Sequence, residues 1–568
     1  MKSNSEIEIS IAGHTDREQI YKVRHDVYAS ELKQHPINDV SFIQDKLDRF
    51  NVYIVAKINN EIAGFISVTP PVENNFSIDK YFPRHDIPFE IDANTFEMRI
   101  LTVLKPHRGK PIAVALMWAA FRWIQSLGGT RIIAIGRSEV LDMYLKLGFN
   151  TTSNKVNAGS VTYTLIHSDI DELSAFLEKK FKNFFTRISR NCRWKMPIEF
   201  FRPPQCYHGG AFFDAIGTEF DDLSRVNDII NADVLDAWFD PPPQLLNEIQ
   251  QHLAWICKTS PPTDCSGMAR AIAKARGLQP YNILPGAGSS DLIFLAFREW
   301  LTPASRVLIL DPTYGEYTHV LEHIIKCQVD RIDLQRENQY SVDIDELLNS
   351  ASAGYDLIVI VNPNSPTGQH ILLNTLEEAL SKIHPGTRIW VDETYIEYCG
   401  NDQSIEKFSV RSQNIIVCKS MSKVYALSGL RAAYLCASPF QLEKLRSLSP
   451  PWAVSLPSQI AAVLALKESA YYEACYAQTH ILREAFSKQL RTINSMDILQ
   501  SKANFILCFL PENGPDAAAV VAKCREFGLY LRDVSNMGRN FNKHTIRIAI
   551  KDEITNNKMI EIIQKVLQ

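Results

Sequence analysis

Short runs of apolar residues, each ending in a polar turn, recur through the second half of the chain: LIL before Asp311, LIVIV before Asn362, IWV before Asp392 and Ile415 to Cys418 before Ser420. Unbroken apolar runs of this length predict buried strands of a mostly parallel sheet with helices on both faces. Beyond them, Pro450 to Leu466 predicts a helix, and ANFILCFL, GLYLRD and HTIRIAI predict the strands of a small terminal domain. The first third is patterned differently. Ile7 to Ala12 predicts a strand, and Thr15 to Ser30 a helix burying Ile20, Val23 and Val27. Val52 to Ile58 and Glu61 to Thr69 flank Asn59-Asn60, a hairpin signal. A strand from Glu97 to Leu104 leads to an apolar helix that opens at Pro111 and closes at Gly128-Gly129. A strand from Arg131 to Ile135, a short helix and the segment MYLKLGF follow.

Between these halves the pattern becomes a basic amphipathic helix, DELSAFLEKKFKNFFTRISR, which predicts a brace between two domains in preference to a membrane-surface or partner helix. The turn Arg202-Pro203-Pro204 marks a boundary. The predicted domains are therefore residues 1–168, a helical linker 169–205, and 206–568 with a small C-terminal subdomain from about 455. The fold class is α/β, preceded by an α+β domain.

At 568 residues the chain is too long for one ordinary core. Its 60 basic and 64 acidic residues leave a net charge of −4, which gives no electrostatic reason to expect nucleic acid or an anionic membrane as partner. Eleven scattered cysteines without a CxxC pair indicate neither a disulfide framework nor a zinc site, and no metal is expected. No signal-peptide core and no apolar stretch of about 18 residues occur, so a soluble, cytoplasmic protein is expected.

The chemistry centres on Lys423, in NIIVCKSMSKVYALSGLRAAYL. A lysine used for Schiff-base chemistry needs neighbours that depress its pKa or an aldehyde already condensed with it. Ser420, Ser422 and Arg431 around it are the short hydroxyl donors and guanidinium fork that suit a phosphate. This segment resembles the lysine motif of fold-type I pyridoxal 5'-phosphate (PLP) enzymes, the aminotransferase class I and II group. The resemblance covers about residues 205 to 568 and includes four further motifs in the family's order. It implies that Gly288, Ser289 and Ser290 present amides and hydroxyls to the cofactor phosphate at a helix N-terminus. Tyr314 would lie over the pyridine face, and Asn364 or Ser365, in NSPTG, would bond O3'. Asp392 would keep the pyridine nitrogen protonated, making the ring an electron sink, and Tyr395 would bond O3'. Arg547 would hold a substrate α-carboxylate bidentately, and Arg532 a substrate phosphate. HGGAFFDAIG, with His208, resembles the His-Gly-Gly start of threonine-phosphate decarboxylases, and VLDAWFDPPP the N-x-NP-x-GPP segment of histidinol-phosphate aminotransferases; His208 would touch substrate. Two departures stand out: Trp238, Phe239 and Asp240 replace a polar Asn-Pro stretch, and Ser260-Pro261 replaces a Tyr-Pro that reaches across the dimer.

Residues 1 to 168 resemble acyl-CoA N-acyltransferases of the GNAT superfamily. Arg108, Gly109 and Ala113 match its R-G-x-G-x-A pattern, which binds the CoA pyrophosphate on amides at the start of the central helix, with Pro111 replacing the central glycine. The segment VRHDVYASEL and the insert from Thr69 to Phe96 are similar to enzymes that make N-acyl amino acids or acyl-homoserine lactones, which adds acyl-ACP as a donor. Tyr144 would be the general acid and Glu97 the base; packing in the core and capping at a strand end are the other readings. The whole implies a bifunctional, homodimeric enzyme acting on small molecules: transamination of an amino acid or amino alcohol phosphate against a 2-oxo acid, plus N-acylation of a primary amine. Decarboxylation of a phosphorylated amino acid, and a scaffold built on a dead enzyme, are the alternatives.

Overall fold

The computed structural model describes residues 7–32, 36–158, 161–196, 209–493 and 496–567. The chain divides into two compact units, Met1–Arg202 and Pro203–Gln568. His208 lies outside the described residues.

The first unit is an eight-stranded sheet. The predicted hairpin forms from Val52–Ile58 and Glu61–Thr69, with Asn59 and Asn60 both at positive φ. Alternate strand residues enter two cores. Ile54, Ala56, Ile66 and Val68 pack under the helix Ile112–Ser126, whereas Tyr53, Val55 and Phe65 pack against Ile20 and Tyr21 of the helix His14–Arg24. The strand Thr95–Val103 pairs in parallel with Arg131–Arg137 only over Thr95 to Glu97 against Arg131 to Ile133. Past that point the first strand carries a register shift against its other neighbour, and Ile100, a β-branched residue, sits at φ 55°. Such a residue in the left-handed region costs on the order of 1–3 kcal/mol and persists only where its surroundings enforce it. Here it turns the strand away from its parallel partner and leaves the two splayed.

The predicted helix Thr15 to Ser30 ends its α-helical bonding at Arg24 and widens to a π turn over His25–Glu31. The strands that escaped the sequence reading include the antiparallel pair Asn150–Ala158 and Val161–Asp169. The first reads NTTSNKVNA, polar along its length, so it lacks the alternation that marks a half-buried strand. The basic helix runs Ile170–Asn191, and its apolar residues Ile170, Leu173, Leu177 and Ile188 belong to the first unit's own core. The following strand, Cys192–Lys195, extends the same sheet beside Ile7–Ile11. The segment expected to brace two domains is thus built into the first unit.

The second unit holds a seven-stranded sheet in the order 283–286, 433–436, 415–420, 388–392, 357–361, 306–311, 328–333. The last five pair in parallel, and Ala433–Cys436 runs antiparallel to both of its neighbours. Successive residues again alternate between two cores: Ile358, Ile360, Ile389 and Val391 face one, and Leu357, Val359, Trp390 and Ile416 the other. That is why these strands read as unbroken apolar runs. The C-terminal helix expected over Pro450 to Leu466 is shorter, Leu456–Ala465, capped by Ser455 with Pro457 in its first turn, and a second helix, Ser469–Leu490, follows. A four-stranded antiparallel sheet closes the small subdomain. Ile230–Asn231 pairs with Leu529–Tyr530, so the start of this unit is sewn to its end.

Candidate active site

All the motifs singled out after residue 283 meet at the carboxyl ends of the parallel strands, where open α/β sheets place their ligands. The strand expected to stop at Cys418 runs Ile415–Ser420 and delivers Ser420, Ser422 and Lys423. Lys423 is largely buried and its Nζ bonds Asp236 Oδ1 at 2.8 Å. Burial pushes its pKa down, against the pull of Asp236. Arg431 sits at φ 59°, and its Nη1 reaches Ser422 Oγ at 3.3 Å and the Ser428 carbonyl at 3.2 Å. Gly288 caps the helix Ser289–Trp300 at φ 94°, and a Cβ there would lie 2.3 Å from Arg431 Nη2. Only glycine lets the guanidinium close over that helix N-terminus, which makes an anion cradle of amides, hydroxyls and positive charge. Ser290 Oγ itself bonds Glu316 at 2.9 Å.

Asp392 ends the neighbouring strand, Arg388–Asp392, fully buried. Its Oδ2 accepts from the Tyr317 hydroxyl at 2.7 Å, which accepts from Trp390 Nε1 at 2.8 Å, and its Oδ1 accepts from the Thr394 amide and hydroxyl. Burial raises its pKa despite these bonds, and among the described residues no cation pairs with it. Tyr314 and Tyr395 are close enough to Asp392 to interact with it electrostatically, and burial raises the pKa of both phenols. Asn364 donates to the Pro312 carbonyl and to Thr367 Oγ1, while its Oδ1 is buried with no partner. Ser365 Oγ accepts instead from Arg547 Nη1 at 3.1 Å. Ser365 thus faces the arginine, and the Asn364 amide nitrogen is tied to the loop.

Arg547 is buried, makes no ion pair among the described residues, and has an unpartnered Nε. Burial brings its pKa down to about 10. A guanidinium so placed is incomplete without an anion. Arg532 is held near Asp233, 3.7 Å from Nη1 to Oδ1. The residues present fit PLP: an amine at a strand end, a buried carboxylate beside it, a glycine-gated phosphate cradle, and unpartnered polar atoms on Asn364 and Arg547.

In the first unit the expected residues are less concentrated. Gly109 has φ 87°, and the helix Ile112–Ser126 starts after Pro111, so Ala113 lies in its first turn, whose amides have no intrahelical acceptor. The Arg108 guanidinium pairs with Glu31 at 2.7 Å and is half exposed. Tyr144 packs edge-on against Phe149, and burial pushes its hydroxyl up to about 12. Glu97 is fully buried; it accepts from the amides of Ser77 and Ile78, at 2.7 and 3.1 Å, and from the Ser77 hydroxyl. All three bonds hold the insert over the sheet, so the geometry gives Glu97 a capping duty in place of the expected catalytic one. Beside the helix lies a small, half-open apolar pocket whose walls include Met98, Met117, Trp118, Leu147 and Leu177.

The aminotransferase class I and II family model matches residues 231–566. The chain belongs to that family. A GNAT acetyltransferase family model matches residues 17–149. Histidinol-phosphate aminotransferase of Staphylococcus haemolyticus is 27% identical over 330 residues, 57% of this chain and 88% of that one. Among solved structures, histidinol-phosphate aminotransferase from Sinorhizobium meliloti in complex with pyridoxal-5'-phosphate superposes with TM-score 0.53 at 20% identity, covering 59% of this chain and 89% of that one. L-threonine-O-3-phosphate decarboxylase from Porphyromonas gingivalis does so with TM-score 0.52 at 21% identity, covering 59% and 99%. These structural likenesses establish the fold.

The aminotransferase unit contains groups that sequence reasoning missed. Asp236 lies within VLDAWFDPPP, a segment already noted as unlike its relatives, and Tyr317 stands one turn past Tyr314. In the GNAT-like unit the missed group is a buried network inside VRHDVYASEL and beyond it. Arg24, 4% exposed, pairs with Asp48 at 2.8 Å and Asp45 at 3.0 Å; Tyr53 donates to Asp48, and Arg99 to Asp45. Alternating charge around an aromatic was the only signal available for it.

Proposed function

We propose that the second unit is a PLP-dependent transaminase of an amino acid or amino alcohol phosphate, and that the first unit acylates a primary amine from acyl-CoA or acyl-ACP. The observation that carries the reading is Lys423 at one strand end, buried Asp392 at the next, and a buried Arg547 that makes no ion pair among the described residues. PLP, when bound, supplies an electron sink for the carbanion formed at the substrate's Cα. Arg431, Ser289, Ser290 and Ser422 would hold its phosphate, and Asp392 its ring nitrogen. Arg547 would take the substrate carboxylate by a bidentate pair, with Ser365 fixing the guanidinium plane, and Arg532 would serve an anionic group farther along the substrate. Lys423 would move the proton at the substrate's Cα. In the first unit Tyr144, its hydroxyl protonated at neutral pH, would return a proton to the leaving thiolate.

Dimerisation through the PLP unit is part of this proposal, because sites of this fold are commonly completed by a second subunit; sedimentation of an active monomer would contradict it. Joining the two activities in one chain raises the local concentration of an intermediate, which supports consecutive steps on one metabolite. The test is mass spectrometry of products from a panel of amino acids, 2-oxo acids and thioesters. Lys423→Ala should abolish both the near-visible absorbance that PLP induces and amine transfer while N-acylation persists, and Tyr144→Phe should do the reverse. Release of CO2 without amine transfer would replace transamination by decarboxylation. Full turnover in Lys423→Ala would overturn both.

A further inference from the structure

Lys423 Nζ has one hydrogen-bond partner among the described residues, Asp236 Oδ1 at 2.8 Å. Positive charges also act on it: Arg431 and Arg547 from the site walls, and Lys551 from the loop after the strand Thr545–Ala549. The carboxylate is held from more than one side. Asn231 Nδ2 approaches its other oxygen at 3.4 Å, and the Ser428 hydroxyl and Lys551 also act on it. Its side chain is 33% exposed, against 19% for Lys423, so it stands on the solvent side of the amine. An ammonium surrounded by three cations and largely out of water sheds its proton unless an anion opposes them. Asp236 is the anion in contact.

We propose that Asp236 is a positioning residue for Lys423, holding its nitrogen charged and aimed in the free site. The proposal rests on the reading that Lys423 carries the cofactor. Asp236 acts through the lysine: its carboxylate fixes the direction of the Nζ–H bond and keeps the proton on it until the nitrogen is needed. Lys551 opposes this hold. Burial brings its pKa down to about 8, and in its charged form it draws on the same carboxylate.

The test uses the full chain freed of PLP. Acetic anhydride labelling across a pH series, read by mass spectrometry on the peptide containing Lys423, reports the proton on that nitrogen directly, because only the neutral amine reacts. Asp236→Asn should move the Lys423 labelling midpoint down by about one pH unit, a roughly tenfold gain in labelling at fixed pH below the midpoint. Asp236→Glu should restore the wild-type curve, and Lys551→Met should move it up. Circular dichroism checks that each variant folds, and Lys551→Met decides alone should Asp236→Asn fail to do so. An Asp236→Asn curve that superposes on the wild type, or a Lys551→Met curve displaced downward, overturns the proposal. A PLP titration of the wild-type sample keeps the two readings apart. Absence of a near-visible band defeats the cofactor assignment, whereas a band together with unmoved labelling defeats the role of Asp236 alone.

Discussion

Beneath the site, Lys419 and Arg276 are buried with three carboxylates, Glu393, Glu397 and Glu406. Lys419 Nζ lies 2.9 Å from Glu397, 3.5 Å from Glu393 and 3.9 Å from Glu406, and Arg276 pairs with Glu397 and Glu406. Two cations balance two anions, so the third acid is best neutral, and burial pushes Glu393 up to about 7, against Lys419. Its ordinary value is 4.5, so between these two values the folded chain binds a proton that the unfolded chain has lost. Stability from this group is complete below the unfolded value and falls as pH rises through the folded one. Between about pH 5.5 and about pH 8 the fall amounts to about 2 kcal/mol. Glu393→Gln puts a neutral amide where the protonated acid stands, and the amide can still serve Ser404 and the Ile405 amide, its present partners. The variant should therefore lose the pH slope while remaining close to wild type at the acidic end. Urea unfolding of the full chain, following the transition of the second unit at both pH values, measures it. A slope unchanged in Glu393→Gln would refute the charge balance argued here.

Arg547→Lys keeps the charge but loses the bidentate fork, so the KM of the amino acid selected by the product panel should rise on the order of a hundredfold with a smaller change in kcat; steady-state kinetics checks this. Asp48→Asn leaves Arg24 buried with one acidic partner fewer, and should destabilise the first unit by about 3 kcal/mol, read as a lowered first transition in calorimetry.

Most of the second unit could be read in advance because its central strands are buried on both faces and end in polar motifs whose residues are neighbours in sequence. The runs before Asn362, Asp392 and Ser420 locate both the sheet and the edge on which the site stands. The first unit was harder. Its strand Asn150–Ala158 is polar throughout, and nothing local in TFEMRILTV marks the positive φ at Ile100. The helix Ile170–Asn191 has an amphipathic pattern that says one face is buried but not against what, and its partner is the sheet it follows.

The site residues that went unseen share a different property. Lys423, Ser422 and Arg431 are linked within one turn of chain, so their spacing is itself the signal. Asp236 meets Lys423 across 187 residues, and Tyr317 meets Asp392 across 75. Neither carries a local pattern. Asp236 looks like any acid in a proline-rich turn, and Tyr317 like a core aromatic on a short helix, because the hydrogen bond that gives each its meaning exists only once the sheet has assembled. The sequence did hold an indirect clue for Asp236, since its segment departs from its relatives where they are polar. A departure near a reactive amine demands that some other group manage its charge. The fold places a carboxylate 2.8 Å from that amine, and the positioning role proposed for Asp236 rests on that contact.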